Sequence, residues 1–318
     1  MLSVVTLGSW PLWAGFLAFV AAMLALDLGV FHRRAHVVSL REAAVWSAVW
    51  IALAGLFALG VFQFFGPQRG LEFTTGYLIE KALSIDNIFV MVVVFGAFGI
   101  PPHQHHRILY WGILGALAMR AVFILAGTAA IARFEWMVYL FGGFLVLTGL
   151  RMLVSKGEQG HPEDNLLVRL ARRLLPVVPD RNAEHFFVRD GGVRKATPLF
   201  LTLLAVEFTD LIFAVDSIPA VLAISRDPFI VFTSNVFAIL GLRSLYFLLA
   251  GVVHRFRYLK IGLSLVLVFV GAKMALVDIF HVPLGISLGV VGLLIAGSIL
   301  TSLLASSRTR LGERTASP

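Results

Sequence analysis

The sequence contains no cysteine and little charge. Without cysteine, disulfides, thiolate metal sites and thiol chemistry are all excluded. Only 14% of the 318 residues are charged, whereas 59% are hydrophobic and the mean hydropathy is +0.90. A soluble domain of this length would need more charge on its surface. The composition therefore predicts an all-α protein that crosses a membrane many times.

The hydrophobic runs predict about nine transmembrane helices. A bilayer-spanning helix needs roughly 20 apolar residues. By that measure the predicted spans are 10–31, 43–65, 73–98, 108–131, 135–154, 197–223, 229–252, 258–280 and 283–304. The first run could be confused with a cleaved signal peptide. It lacks a basic region before it and continues directly into FHRRAHVVSLREA, which favours a retained helix.

The net charge of +8 follows a topology pattern and does not indicate nucleic-acid binding. Of the 26 Lys and Arg, 18 fall in alternate connections, and the opposite connections hold three: Arg69, Arg133 and Arg226. The positive-inside rule then places the N-terminus outside and the C-terminus in the cytoplasm of a cell inner membrane. The predicted surroundings of the helices are membrane lipids. The sequence leaves the oligomeric state open, and a homo-oligomer is one of the alternatives.

One predicted connection, 155–196, is long. Its segment DNLLVRLARRLLPVV has apolar residues at helical spacing with arginines between them, which predicts an amphipathic helix on the cytoplasmic membrane surface. A regulatory or partner-binding role is the alternative for this helix. The segment HFFVRDGGVRKATP predicts two short strands around a Gly-Gly turn.

Two blocks of the sequence resemble each other and carry acids inside predicted spans. Glu80 and Asp86 are six residues apart in LIEKALSIDNIFV. The same spacing separates Asp210 from Asp216 in AVEFTDLIFAVDSIPAV. Each block is followed by a span with an arginine near its middle, in LGALAMRAVFILAG and LGLRSLYFLLAG. The two blocks therefore predict an internal repeat.

The third spans of the two copies align as well. Gly149 pairs with Gly271, and Arg151 pairs with Lys273. Spans 3–5 and spans 6–8 thus predict two three-helix units in opposite orientations, because each unit has an odd number of spans. Such an inverted repeat is typical of secondary transporters. The chain divides into two N-terminal helices, a first repeat, a cytoplasmic connection, a second repeat and a last helix with its tail: 1–72, 73–154, 155–196, 197–280 and 281–318.

The acids in the two motif helices predict a cation site. A charged side chain inside the bilayer costs at least a few kcal/mol, so such residues usually face one another or a polar pathway. The predicted oxygen ligands are Glu80, Asp86, Asn87, Glu207, Asp210, Asp216 and Ser217. A purely structural alternative pairs the acids with Lys81, Arg120 and Arg243, which would balance three acids at most. We expect these three basic residues to balance charge beside a functional site.

Helical geometry separates the predicted ligands into two sets. Residues seven apart share a face of a helix, whereas residues six apart lie about 120° round from each other. Asp86 and Asp216 are therefore turned away from the other ligands of their own helices, and the inverted repeat predicts that they face each other at the midplane. A single site needs facing helices or a local break. We expect Pro219 to supply the break, because it removes the hydrogen bond to the carbonyl of Val215.

The ligand types indicate a hard cation. Oxygen ligands, with no Cys and no His in these helices, favour Mn, Mg or Ca over Zn or Cu(I). The cation would be cargo, and no prosthetic group is predicted. Protons are the expected second cargo, since a divalent cation displaces them from the acids that it binds. The histidine-rich segment HQHHR at 103–107 is either a metal sensor at the cytoplasmic mouth or a set of solvated polar residues.

The same motifs resemble the TerC/Alx family of integral membrane proteins. The segments that carry the resemblance are LDLGVFHRRAHVVSLREAAVWSAVWI, YLIEKALSIDNIFVM, and AVEFTDLIFAVDSIPAVLAI through SNVFAILGLRSLYFLLAG. It implies Mn(II) export across the cytoplasmic membrane, with links to tellurium resistance and to metal supply for exported enzymes. It also implies that the motif acids are the functional residues. From the residues alone, only a hard cation follows.

Other functions remain open at this point. Tellurite efflux would need an electropositive cavity, whereas acids outnumber basic residues in the two motif helices. A membrane scaffold that assists insertion or metalation of other proteins would be favoured by long basic connections, of which there is one. A membrane hydrolase using paired aspartates is a remote alternative without a recognisable motif. The sequence also contains no P-loop. We therefore predict a transporter that does not use ATP and is not an enzyme.

Overall fold

The computed structural model describes residues 8–31, 39–154, 168–170, 173, 175–178, 185–190, 192–250, 258–280 and 282–315. The described chain is mostly α-helical, with one small hairpin. Its longer helices are α1 (Trp10–Phe31), α2 (Leu40–Phe65), α3 (Pro67–Phe98), α4 (Pro102–Arg133), α5 (Met137–Val154), α6 (Pro198–Leu222), α7 (Pro228–Ile239), α8 (Leu242–Leu249), α9 (Leu259–Ala275) and α10 (Leu284–Thr315). The hairpin consists of β1 (Phe187–Asp190) and β2 (Val193–Ala196).

Six helical segments of the described chain are long and apolar enough to cross a membrane: Leu40–Phe65, Pro102–Arg133, Met137–Val154, Pro198–Leu222, Pro228–Leu249 and Leu284–Ser302. The predicted multi-pass α-helical protein is therefore confirmed. Helix α3 is long enough but carries Glu80, Lys81 and Asp86 near its centre, and α9 has 17 residues. The count of nine spans and the inverted repeat stay predictions.

The predicted hairpin in the long connection is confirmed. Strands β1 and β2 pair antiparallel, with Phe187 opposite Ala196 and Asp190 opposite Val193. Gly192 in the turn has φ of +81°, a conformation that glycine adopts without steric cost. In the segment predicted as an amphipathic helix, residues 168–170 and 173 are helical and residues 175–178 are not, while 164–167, 171, 172 and 174 lie outside the described residues.

Helix α3 lies at the centre of the described helices. It packs against α2, α6, α7 and α10, while α4 packs against α6 and α7. Apolar side chains fill most of these contacts, including an aromatic cluster around Phe16, Phe57 and Phe237. Where α3, α4, α6 and α7 meet, the buried side chains are polar instead.

The seventh predicted span is not one continuous helix. Helix α7 ends at Ile239, and α8 begins at Leu242 after Gly241, whose φ is +80°. Asp227 caps the start of α7, where its Oδ1 accepts from the backbone N–H groups of Phe229 and Ile230. Broken helices of this kind are typical of the substrate region of secondary transporters.

The break expected at Pro219 was predicted in the wrong helix. Helix α6 continues through Pro219 to Leu222. The proline stands close to the C-terminal end of α6, and its own carbonyl accepts from the N–H of Ala223. Val215 is exposed on the outside of the bundle, away from the polar cluster.

The third helices of the two predicted repeats, α5 and α9, make a close antiparallel contact. A Cβ atom at Gly142 would meet the backbone of Gly271 and Ala275, and one at Gly149 would meet the backbone of Ser264, at 2.7–3.1 Å. Any side chain larger than hydrogen would push the two helices apart. Small residues at such contacts let helix backbones approach closely inside lipid.

Candidate cation site

Five polar side chains from four helices meet in the buried centre of the molecule. Glu80 and Asn87 come from α3, Arg120 from α4, Asp210 from α6 and Asn235 from α7. None is more than 3% exposed. The seven-residue spacing of Glu80 and Asn87 brings them onto one face of α3, as helical geometry predicted. We refer to these five residues as the central cluster.

Arg120 bridges the two carboxylates of the central cluster. Its Nη1 donates to Glu80 Oε1 in a short ion pair, and its Nη2 lies 3.4 Å from Asp210 Oδ1. Asn235 Nδ2 donates to Glu80 Oε2 at 3.0 Å, and Asn87 Nδ2 donates to Asp210 Oδ1 at 2.8 Å. The equivalent acids of the two predicted repeats thus share one guanidinium.

The central cluster contains unpaired acceptors, and one of its donors, Arg120 Nε, is also without a partner among the described residues. Two carboxylates face one guanidinium. Asp210 Oδ2 and Asn87 Oδ1 are buried without a hydrogen-bond donor among the described residues. A buried oxygen without a donor costs free energy comparable to a lost hydrogen bond. These two oxygens could therefore accept a proton, or coordinate a cation that displaces Arg120.

Glu207 lies one turn before Asp210 on α6 and is half-buried. Its carboxylate occupies the space where a side chain at Gly115 of α4 would begin. Gly112, one turn earlier on α4, faces only the Val206 side chain at ordinary contact distance. The absence of a side chain at Gly115 therefore makes room for this carboxylate between α4 and α6.

The remaining predicted ligands lie apart from the central cluster. Asp216 points toward α5, where Thr148 Oγ1 donates to its Oδ1 at 3.2 Å and Arg151 adds a positive charge nearby. Ser217 is buried on the face of α6 that carries Asp210, and its hydroxyl has no partner in the described part of the chain. The Asp86 side chain lies outside the described residues, so its predicted approach to Asp216 stays a prediction.

The three predicted charge-balancing residues occupy different places. Arg120 lies between the acids, as expected. The Lys81 Nζ donates to the backbone carbonyl of Ala238, at 3.2 Å, near the end of α7. Arg243 is fully buried in α8, directly after the break at Gly241.

No group of three or more His, Asp or Glu side chains is arranged to hold a metal ion among the described residues, whose side chains do not include Asp86. The physical reason within the central cluster is the guanidinium of Arg120, which occupies the space between the Glu80 and Asp210 carboxylates. The seven predicted ligands therefore stay a prediction, and a bound cation would have to displace Arg120.

The histidine-rich segment at the start of α4 does not converge on one point. His105 lies between the Ile100 carbonyl and the Tyr246 hydroxyl, each 3.0 Å from a ring nitrogen, and its ring packs against Phe95 at an interplanar angle of 39°. His103 is exposed. A shared metal needs the rings to face one point, so this arrangement does not support the sensor alternative.

Asn235 and Glu72 are two of the buried polar residues that were not predicted from the sequence. Asn235 belongs to the central cluster, and the polar run Thr233–Asn235 inside a hydrophobic span was the signal that could have found it. Glu72, at the start of α3, accepts from Arg69 at 2.7 Å and from the Ser225 hydroxyl at 2.6 Å. This second cluster ties the start of α3 to the connection between α6 and α7, and all its described contacts are structural.

The fold and the central cluster define a multi-pass α-helical membrane protein with acidic and basic side chains buried between its helices. The sequence profile of the integral membrane protein TerC family matches residues 65–310. The chain belongs to that family. This confirms the resemblance found in the motifs.

Relatives cover nearly the whole chain. An uncharacterized membrane protein of Myxococcus xanthus is 57% identical over 301 residues, which is 95% of this chain and 94% of the relative. A protein of Salmonella typhi named "Putative membrane-bound redox modulator Alx" is 48% identical, over 90% of this chain and 92% of its own. Its namesake in Escherichia coli strain K12 is 46% identical, over 93% and 96%. No solved structure matches the chain.

Proposed function

We propose that the protein is a secondary transporter that exports a hard divalent cation, Mn(II) by family resemblance, from the cytoplasm in exchange for protons. The observation that carries the proposal is the central cluster. Two buried carboxylates share one arginine, and two further oxygens beside them have no donor among the described residues. Cation and protons would compete for these oxygens, which is what coupled exchange requires.

The helix arrangement around the cluster supports transport. The break between α7 and α8 lies three residues beyond Ala238 and close to Asn235 of the cluster. The contacts between α5 and α9 are also reciprocal. Gly142 meets Gly271 and Gly149 meets Ser264, and the same sequence spacing separates Gly142 from Ser264 and Gly149 from Gly271. A pseudo-two-fold axis between two inverted copies would give such a pattern.

The order of oxygen-bearing side chains along α6 suggests a route. Glu207, Asp210 and Ser217 follow one another from the end that the charge distribution places in the cytoplasm. They span roughly 15 Å at 1.5 Å per residue, about half of the hydrocarbon thickness. An exported cation would meet Glu207 first, then the central cluster.

The proposed orientation has a direct test. Reporter tags at residue 318 and within 158–165 should both report the cytoplasm, and a tag near Gln68 should report the outside. The basic residues of the long connection and the tail are the physical reason. The measurement is protease or alkaline-phosphatase accessibility in intact cells. If the tags near Gln68 and within 158–165 lie on the same side, the inverted-repeat proposal is wrong.

Gly115→Ala should lower export about tenfold or more, because its methyl group would take the space of the Glu207 carboxylate. Gly112→Ala is the matched control. It lies on the same helix one turn away, meets only Val206, and gains about 1 kcal/mol of helix propensity. Initial Mn efflux rates at equal amounts of membrane protein measure the effect. Equal rates for the two variants would exclude Glu207 from the route.

The proposed activity itself is tested in proteoliposomes. Purified protein is reconstituted with a Mn-sensitive dye on one side and a pH-sensitive dye on the other, and Mn, Mg and Ca are compared. We expect Mn movement to drive opposite proton movement and to respond to an imposed pH gradient. Folded protein that moves none of the three cations would contradict the proposal.

The relatives' name offers a second candidate, a redox role. This chain has no cysteine, so thiol–disulfide exchange by its own residues is excluded. A redox effect in cells would then come from something other than thiols of this chain, and metal supply is the route that the proposed transport offers. Cellular Mn content and Mn tolerance with and without the protein, at controlled pH, separate an effect on metal from an effect on thiols alone. Tellurite efflux is disfavoured because acids outnumber basic residues in the two motif helices, and the scaffold alternative stays open to the same experiment.

A further inference from the structure

A lysine of α3 donates a hydrogen bond to the end of α7, just before the break in the seventh span. The last carbonyls of a helix have no intrahelical donor. At the end of α7, the Ala238 carbonyl accepts from the Lys81 Nζ at 3.2 Å. Gly241, with φ of +80°, then redirects the chain into α8. The ammonium also lies at the negative end of the α7 helix dipole, which favours a cation there.

The same two helices are joined a second time inside the central cluster. Glu80, the residue before Lys81, accepts from Asn235 Nδ2 at 3.0 Å. Asn235 and Ala238 are three residues apart and share a face of α7. Consecutive residues of α3 thus contact consecutive turns of α7. One contact belongs to the cation site and the other to the break.

A lysine at position 81 is energetically unfavourable compared with an apolar side chain. A lysine inside a membrane span is expensive, and lysines there usually pair with acids or line a pathway. Among the described residues Lys81 forms no ion pair, and its hydrogen bond is to the backbone carbonyl of Ala238. If the side chain at position 81 only had to pack against its neighbours, an apolar residue would fill the same space without the free-energy cost of placing a charge in the membrane.

We infer that Lys81 is a positioning residue, a latch that holds the break between α7 and α8 closed and links it to the occupancy of Glu80. When Glu80 exchanges Arg120 and Asn235 for a cation, the turn of α3 that carries Lys81 moves relative to Ala238. The latch then releases, and α8 swings at Gly241. For its transport readout this inference rests on the proposed function; the latch itself does not.

A matched control exists in the same membrane. Lys273 in α9 is also half-buried and also donates to a neutral oxygen, the Ser287 hydroxyl at 2.8 Å. It lies far from the break in sequence, and its hydrogen-bond partner Ser287 does not belong to the central cluster. Lys273→Met removes the same charge from a span without touching the latch.

The test uses the absence of cysteine as a clean background. Ser244, in α8 beyond the break, is buried, and its hydroxyl has no partner among the described residues, so Ser244→Cys is a mild reporter. Its reaction with a water-soluble maleimide is timed in membranes. We expect at least fivefold faster labelling when Lys81→Met is added, no change with Lys273→Met, and slow labelling restored by Lys81→Arg.

The outcomes separate the latch from the proposed function. In proteoliposomes, Lys81→Met should keep Mn-dependent thermal stabilisation but lose most coupled transport. Unchanged labelling in Lys81→Met overturns the latch, as does faster labelling in Lys273→Met as well. If the wild-type protein moves no metal while the labelling difference appears, the proposed function fails and the latch stands. If Lys81→Met does not accumulate, Lys81→Leu, which also lacks a donor, replaces it, and labelling at the wild-type rate again overturns the latch.

Discussion

Asp210→Asn should abolish cation export and leave a folded protein in the membrane. Asp210 is bonded to Asn87 of α3 and lies beside Arg120 of α4, so its carboxylate connects two of the helices around the proposed site. Asparagine keeps the shape and removes the charge. At roughly 4 Å and an effective dielectric constant of about 20, one unit charge contributes about 4 kcal/mol. Since 1.4 kcal/mol is tenfold, cation binding should weaken by more than about 100-fold.

The folded state should survive this change because the charges then match. With Asp210 neutral, Arg120 and Glu80 remain as a one-to-one buried pair. The control is Asp278→Asn, since Asp278 is exposed and bonded to Tyr139 away from the central cluster. Mn efflux from proteoliposomes and the amount of monodisperse purified protein are measured for both variants. Near-normal efflux by Asp210→Asn would mean that the central cluster is not the cation site.

The hydrophobic runs and the acids in them were enough to predict a multi-pass helical protein and its polar centre. An acid in a span must find a partner, so Glu80 and Asp210 could be expected to meet a basic residue such as Arg120. Periodicity alone predicts that Glu80 shares a face of α3 with Asn87 and that Asp216 is turned away from Asp210, but it did not predict that Asp216 would contact Thr148 of α5.

What periodicity could not supply is which helix breaks and which neutral residues join the site. Helix α6 continues through Pro219 and ends three residues later, whereas Gly241 broke the next span through a positive φ that no hydropathy pattern encodes. Asn235 and the Lys81 bond to Ala238 depend on how α3 and α7 pack in three dimensions. Pairings between helices far apart in sequence need that geometry.

Arg120→Gln should destabilise the empty protein more than any other single change in the central cluster. It leaves Glu80 and Asp210 facing each other in a buried site without their shared guanidinium. Removing one partner of a buried ion pair typically costs about 3–5 kcal/mol, because the remaining charge is uncompensated. The expected result is a lower melting temperature and a lower folded yield in the absence of metal.

Added Mn(II) should then stabilise Arg120→Gln more than it stabilises the wild-type protein. In the wild type a cation has to displace the guanidinium from between the two carboxylates, whereas in the variant that place is free. A ligand that binds only the folded state stabilises it by about 2.7 kcal/mol at 100 times its Kd. Thermal unfolding across a Mn(II) titration measures both effects, with Arg133→Gln at the exposed end of the same helix as the control.

A second variant decides whether the loss is one of charge balance or of packing. Arg120→Gln with Glu80→Gln removes one charge of each sign, so a balance effect predicts that metal-free stability recovers in part while the response to Mn(II) is lost. A packing effect predicts that the double variant is at least as unstable as Arg120→Gln alone. If Arg120→Gln melts like the wild type and gains no added response to Mn(II), the guanidinium does not occupy the position of the exported cation. The two carboxylates would then have to be balanced by protons alone.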